Sequence, residues 1–219
     1  MINNDLLSLI KQMSVQTDYD EAWLMGLEIQ SLEASSDTID AFRQVLIAGS
    51  MPARRAAAFW LADDAEHAPV DLLLQMATDA DKEIRFHAAY CLSYSRHDRV
   101  VPTLVELALH DEDDEVRQTA VQSLYDAAYL NRVPDHEILK HLTAVYKQDV
   151  CAKVREEVVI SLANFLKSSV LLEAIQLLEE ALSDLDAAVR DQAAISLSVL
   201  RDEIWHIEDD DPVLLMKEL

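Results

Sequence analysis

The sequence predicts an all-α protein, an α-α superhelical solenoid of about five helical hairpins with helical caps. Three observations predict it. The first is glycine: two in 219 residues, where an average composition of roughly 7% would supply about fifteen. Gly-rich phosphate loops and dinucleotide fingerprints are thereby excluded, and a turn-rich β fold is disfavoured. The second is a hydrophobic content of 51% beside a net charge of −23. This is no disordered acidic tail, and the chain can bury a sizeable core. The third is one pattern that recurs four times without a gap.

The four copies are TDADKEIRFHAAYCL (78–92), HDEDDEVRQTAVQSL (110–124), QDVCAKVREEVVISL (148–162) and SDLDAAVRDQAAISL (183–197). Each has Asp six residues before Arg, Ile or Val just before the Arg, and Leu seven after it. The arginines are Arg85, Arg117, Arg155 and Arg190, spaced by 32, 38 and 35 residues. A weaker copy, AGSMPARRAAAFWL (48–61), has Arg54 in register and lacks the Asp.

Apolar residues at −1, +3, +4 and +7 from the Arg form one face of a 3.6-residue period, so each copy reads as a turn entering a helix. The Asp before that helix is expected to accept orphan N–H bonds and face the positive dipole end. Amphipathic stretches precede each turn at 70–77, 101–109, 138–146 and 171–182, with Pro69, Pro102 and Pro134 near the first three starts, where proline is tolerated. A helix–turn–helix unit cannot bury its apolar face alone, but a stack of them can. The stack is expected to align Asp79, Arg85, Asp111, Arg117, Asp149, Arg155, Asp184 and Arg190 as a structural ladder between repeats. A pair present in every full copy is structural, since an active site is normally singular.

The segment DEDDEVRQTAVQSL resembles the HEAT repeat, specifically the short HEAT-like type first described in phycobilin lyases. The resemblance covers about residues 37–201. It implies a solenoid whose second helices line a concave face. Members serve as scaffolds, inhibitors, chaperones and adaptors, and a few are enzymes, so the motif specifies architecture rather than activity.

The expected organisation is capping helices over 1–36, repeats over 37–201, and an acidic C-terminal cap or tail over 202–219. The N-terminal helices are read at 5–13 and 19–32, with Trp23, Leu24, Leu27 and Leu32 supplying the packing. A short helix begun by Asp211 would bury the apolar run at 213–216. The start of the chain lacks a basic, cleavable leader, and no apolar run is long enough to span a membrane, so a cytoplasmic protein is expected. Cys91 and Cys151 read as buried free thiols.

Little in the sequence points to chemistry. The seven histidines are scattered without HExxH, and no metal or other cofactor is expected. No GxSxG occurs. The acidic run Asp111–Glu115 reads as a solvated capping turn, with a basic partner's contact or a loose cation site as the sharper alternative; it lacks the calcium-loop pattern.

Positions +1, +5 and +9 from each Arg form the outward stripe. They are Phe86, Tyr90 and Tyr94; Gln118, Gln122 and Asp126; Glu156, Ile160 and Asn164; Asp191, Ile195 and Val199. One end is aromatic, with Phe59 and Trp60 nearby, and the rest is polar to acidic with apolar points. Phe59, Trp60 and Phe86 can equally be packing beneath the N-terminal cap. Aromatic anchors beside acids suit a protein interface.

The expected function is therefore a non-catalytic binder of a basic protein, monomeric or weakly dimeric, with no direct nucleic-acid ligand. Its narrowest form is an immunity or inhibitor protein neutralising a nuclease-like toxin. The alternatives are a general scaffold or adaptor, or a bilin lyase or chaperone with Trp60, His87, Tyr90 and Tyr94 lining a tetrapyrrole pocket. A DNA-repair enzyme needs a basic groove, and Asp126, Glu156 and Asp191 oppose that.

Overall fold

The structure is a computed structural model that describes residues 4–31 and 35–210, with side chains described over 6–31 and 37–201. Among these residues there are α-helices and short 3-10 turns, and no strand. The chain forms two compact units, Met1–Leu107 and Ala108–Leu219.

In the first unit the helices are α1 (Asn4–Ser14), α2 (Tyr19–Gln30), α3 (Ser35–Ala48), α4 (Met51–Asp63), α5 (Val70–Met76) and α6 (Lys82–Leu92). They pair as consecutive hairpins, α1 on α2, α3 on α4 and α5 on α6. The second helices α2, α4 and α6 lie side by side, and α1 lies beside α3. Met13, Ile29, Phe42, Leu61, Leu73, Ile84 and Leu92 are fully buried between these layers. The unit boundary falls within α7 (Val100–His110).

The second unit contains α8 (Asp114–Asn131), α9 (Asp135–Gln148), α10 (Ala152–Ser161), α11 (Leu171–Ala181) and α12 (Ala187–Asp210). Here α8, α10 and α12 are neighbours in one layer, with α9 packed on α8 and α10, and α11 on α12. Leu124, Ile138, Leu142 and Phe165 are its large buried side chains. No glycine is available to end α8. Arg132 takes the left-handed conformation instead, at φ 57°, and Val133 N–H closes on the Ala128 carbonyl at 3.0 Å. That costs about 1 kcal/mol in a non-glycine residue.

The helix caps correct one expectation. The Asp six residues before the Arg does not cap the helix; the residue four before it does. Asp81 and Asp113 occupy the N-cap and accept the N–H groups of Glu83 and Glu115, both at 3.1 Å, and Asp186 accepts from Ala188 at 2.8 Å. The earlier Asp instead folds the turn. Asp79, Asp111, Asp149 and Asp184 each accept the N–H two residues on, at 2.8–3.0 Å. The physical reason is reach, because a short side chain at −6 lies too far from the first helical N–H groups.

Three further expectations change. α2 packs through Ala22, Gly26 and Ile29, which leaves Leu24 at 58% and Leu27 at 45% exposure. The phase is set by Trp60, whose indole occupies the space a Gly26 side chain would fill. Leu32 lies outside the described residues. α10 stops at Ser161, and a 3-10 segment over Leu162–Lys167 follows. Its tighter winding buries Phe165 against the Tyr125 ring, 5.5 Å away, while Tyr125 Oη donates to the Asn164 carbonyl at 3.0 Å. Cys91 is buried as expected, but Cys151 is only half-buried, because it stands at the N-cap of α10. At the C-terminus α12 continues through Asp210, and the cap expected from Asp211 lies outside the described residues.

Candidate functional site

Each repeat arginine reaches in two directions. Arg117 donates through Nη1 to the Asp111 carbonyl of its own turn at 3.0 Å. Its Nε and Nη2 donate to the Asp149 carboxylate of the following turn at 2.6 and 3.0 Å. Arg155 repeats this with the Asp149 carbonyl at 3.0 Å and the Asp184 carboxylate at 2.9 and 2.8 Å. Such bidentate, charge-assisted pairs fix geometry as well as adding energy. Arg190 and Arg85 likewise hold the carbonyls of Asp184 and Asp79, at 2.7 and 2.9 Å. In the weak copy Arg54 binds the Leu46 carbonyl at 2.8 Å and pairs with Asp79.

Burial makes these pairs strongly coupled to folding. The side chains of Arg155 and Asp184 are 13% and 6% exposed. Arg155's hydrogen bonds pull the Asp184 carboxyl down to about 2, against the opposing effect of burial. Tyr146 donates its hydroxyl to the same carboxylate at 3.1 Å, and burial together with that carboxylate pushes its phenol up to about 12.

Sequence reasoning missed one pair. Arg55 grips Asp81 through Nε and Nη2 at 2.7–3.1 Å. The adjacent arginine in PARRAAA and the N-cap aspartate in DADKEIR were the available signals.

The outward positions fall into two rows, one on each unit. On the second unit Gln122, Asp126 and Asp191 are exposed, as are Ile160, Ile195 and Val199 at 42%, 56% and 49%. Glu156 is half-buried, and Asn164 is exposed on the 3-10 segment rather than on α10. Gln118 is not an open contact: its amide donates to Glu157 at 3.1 Å. Glu157 is itself buried, which raises its carboxyl above the ordinary range.

On the first unit Tyr90 and Tyr94 are 42% and 43% exposed, and their rings meet edge to face at 5.7 Å. Tyr94 lies just past the end of α6, and Phe86 is half-buried. Trp60 is not in this row. It is buried against Trp23, ring centroids 5.0 Å apart, with Nε1–H donating to the Trp23 carbonyl at 3.1 Å. It therefore cannot line a tetrapyrrole pocket. His87 sits between Phe59 and Phe86, and burial lowers its imidazole to about 4, so it is neutral at physiological pH.

Among the described residues no group of three or more His, Cys, Asp or Glu side chains is arranged to hold a metal ion. Among the described residues no helix is long and apolar enough to cross a membrane.

Residues 39–125 match the family model of HEAT repeats. That stretch of the chain carries HEAT repeats. The match is to HEAT repeats as a class and does not single out the phycobilin-lyase type. Two curated relatives, 26S proteasome non-ATPase regulatory subunit 1 homologs A and B of Arabidopsis thaliana, are each 31% identical over 142 residues. That stretch is 63% of this chain and 14% of either relative, so the chain corresponds to a small part of those proteins.

A crystal structure of an engineered protein is similar with a TM-score of 0.55 and 21% identity, over 91% of this chain and 98% of that one. A designed armadillo repeat protein in complex with peptide (KR)4 has a TM-score of 0.56 and 17% identity, over 90% and 100%. At these identities the likeness shows the fold alone. The fold is thus that of helical-repeat proteins.

Proposed function

We propose that this chain is a non-catalytic protein-binding protein, and that the acidic row on its second unit takes a basic partner. One observation carries the reading. At the outward positions of the three second-unit copies stand Asp126, Glu156 and Asp191, with no Lys or Arg. The repeat arginines of the same three copies, Arg117, Arg155 and Arg190, are instead bonded into the turns. Asp126 and Asp191 are exposed and Glu156 is half-buried, and the net charge of −23 speeds encounter with a basic surface. Exposed Ile160, Ile195 and Val199 add apolar contact between the charges. The fold itself can seat a basic peptide, as the designed armadillo repeat protein with (KR)4 illustrates.

The narrowest form of the reading is an inhibitor covering the nucleic-acid site of a toxic nuclease; charge and size alone support it. The experiment is affinity capture from cell lysate at low and high salt, with the intact chain and with Asp126→Lys/Glu156→Lys/Asp191→Lys. One basic protein, released by salt and retained at least about tenfold less by the variant, is the expected result. Retention that ignores both salt and the three substitutions would overturn it.

A second reading, a scaffold or adaptor within a large assembly, is favoured by the 31% identity to part of a proteasome regulatory subunit. It predicts capture of several subunits together, held at high salt.

A further inference from the structure

The first unit carries a wider aromatic surface than the repeat pattern revealed. Helices α2, α4 and α6 lie side by side. On α2, Tyr19, Trp23 and Leu27 follow at four-residue steps along one face. The Trp23 ring lies 6.0 Å from Phe59 of α4. Phe59 in turn lies 5.9 Å from His87 of α6, beside Phe86, and Tyr90 and Tyr94 continue beyond. So α2 does more than cap the stack; it extends the aromatic row of α6 across three helices. Tyr19, Leu27, Tyr90 and Tyr94 are each at least 40% exposed. A contiguous aromatic surface of this kind marks an interaction site, and Tyr and Trp are the side chains that carry most binding energy.

Charge selects the occupant. The cations of these helices are largely committed: Arg54 to Asp79, Arg55 to Asp81, and Arg85 to the carbonyls of Asp79 and Ala80. His87 is neutral at physiological pH. Lys82 is then set against five carboxylates on the same helices, Asp20, Glu21, Glu28, Asp63 and Glu83. An aromatic surface in a negative field favours a flat, weakly hydrated cation. A guanidinium stacks on Tyr and Trp faces and can also bind carboxylate with two N–H groups, whereas an ammonium is a strongly hydrated point charge.

We propose that the aromatic face of α2, α4 and α6 docks an extended, arginine-bearing segment of a partner protein. Three helices spaced by about 8–10 Å span roughly 16–20 Å, which about six residues of extended chain cross at about 3.3 Å each. Alternate side chains of such a segment point at the surface, so arginine at every second position fits. The proposal rests on the reading of this chain as a protein binder, but not on the acidic row of the second unit.

The test uses the full chain and two fluorescently labelled probes, a peptide alternating arginine with serine and its lysine–serine twin. Binding is read by fluorescence anisotropy, and circular dichroism checks that the variants fold. The arginine peptide is expected to bind at least about fivefold more tightly than the lysine peptide. Tyr90→Ala/Tyr94→Ala is expected to weaken it at least about tenfold, and Tyr19→Ala to weaken it measurably. Asp126→Asn/Glu156→Gln/Asp191→Asn is expected to change it little.

Equal affinity for the two peptides, indifference to the tyrosine substitutions, or no binding by the intact chain would each sink the proposal. So would a dimer in sedimentation that Tyr90→Ala/Tyr94→Ala returns to monomer, because a second copy would then own the face. If only the acid substitutions weaken the peptide, the acidic-row reading stands while this one falls. If the tyrosine substitutions weaken the peptide while lysate capture ignores the acidic row, the reverse holds.

Discussion

Asp184 accepts four hydrogen bonds, and replacing it by asparagine tests whether the turn-to-turn pairs hold the repeats together. The donors are Arg155 Nε and Nη2 at 2.9 and 2.8 Å, Tyr146 Oη at 3.1 Å and the Asp186 N–H at 2.9 Å. The carboxyl lies at about 2 in the folded chain against an ordinary 3.8. At about 1.4 kcal/mol per unit, the ionised group contributes roughly 2.5 kcal/mol at neutral pH.

A lowered carboxyl stabilises above its unfolded value and loses that contribution as pH falls through its folded one. The loss therefore runs from about pH 4 to about pH 2, and by pH 3 about half remains. Asparagine also leaves the buried Arg155 without its anion, for which removal of one partner typically costs about 3–5 kcal/mol. Arg155 keeps the Asp149 carbonyl at 3.0 Å. The expected cost of Asp184→Asn at pH 7 is thus near the low end, about 2.5–3.5 kcal/mol.

Urea unfolding followed by far-ultraviolet circular dichroism, at pH 7 and pH 3, measures it. The gap between intact chain and variant should narrow by roughly 1 kcal/mol at the lower pH. A cost under about 1 kcal/mol at pH 7, or a gap that stays constant with pH, would show that the pair does not carry the link between turns.

Gly26→Ala should destabilise the first unit by about 1–2 kcal/mol. Its Cβ would collide with the rigid Trp60 indole, and the gain in helix propensity of about 1 kcal/mol only partly offsets that. Urea midpoints and tryptophan fluorescence report it, and an unchanged or raised midpoint would contradict the packing. His87, held neutral by burial at about 4 rather than 6.5, stabilises the fold above pH 6.5 and loses that contribution as pH falls towards 4. The loss is about 3 kcal/mol, and His87→Leu should flatten stability over that range; the same slope in both proteins would count against it.

The repeat pattern was legible because its residues interact at fixed, short offsets. Apolar positions at −1, +3, +4 and +7 from each arginine determine an amphipathic helix whatever surrounds it. The recurrence of Asp and Arg similarly pointed to the links from Arg117 to Asp149 and from Arg155 to Asp184. Other features depend on which neighbour arrives. Whether Asp79 caps a helix or folds a turn depends on side-chain reach, and the pairing of Arg55 with Asp81 depends on α4 lying beside α6. The outward phase of α2 follows from the Trp60 indole seated over Gly26, although a mid-helix glycine in a chain with only two was a readable sign of close approach.

The helical class, the repeat and its charged turns were readable from the residues alone, because these rest on local periodicity and on residue types that recur. Tertiary structure alone decided which acids and aromatics remain at the surface. The same arginine, tyrosine or glutamate is buried or exposed according to the helix packed against it. Tyr19, Trp23 and Leu27 became one face with Phe59 and Tyr90 only when three helices far apart in sequence were laid side by side.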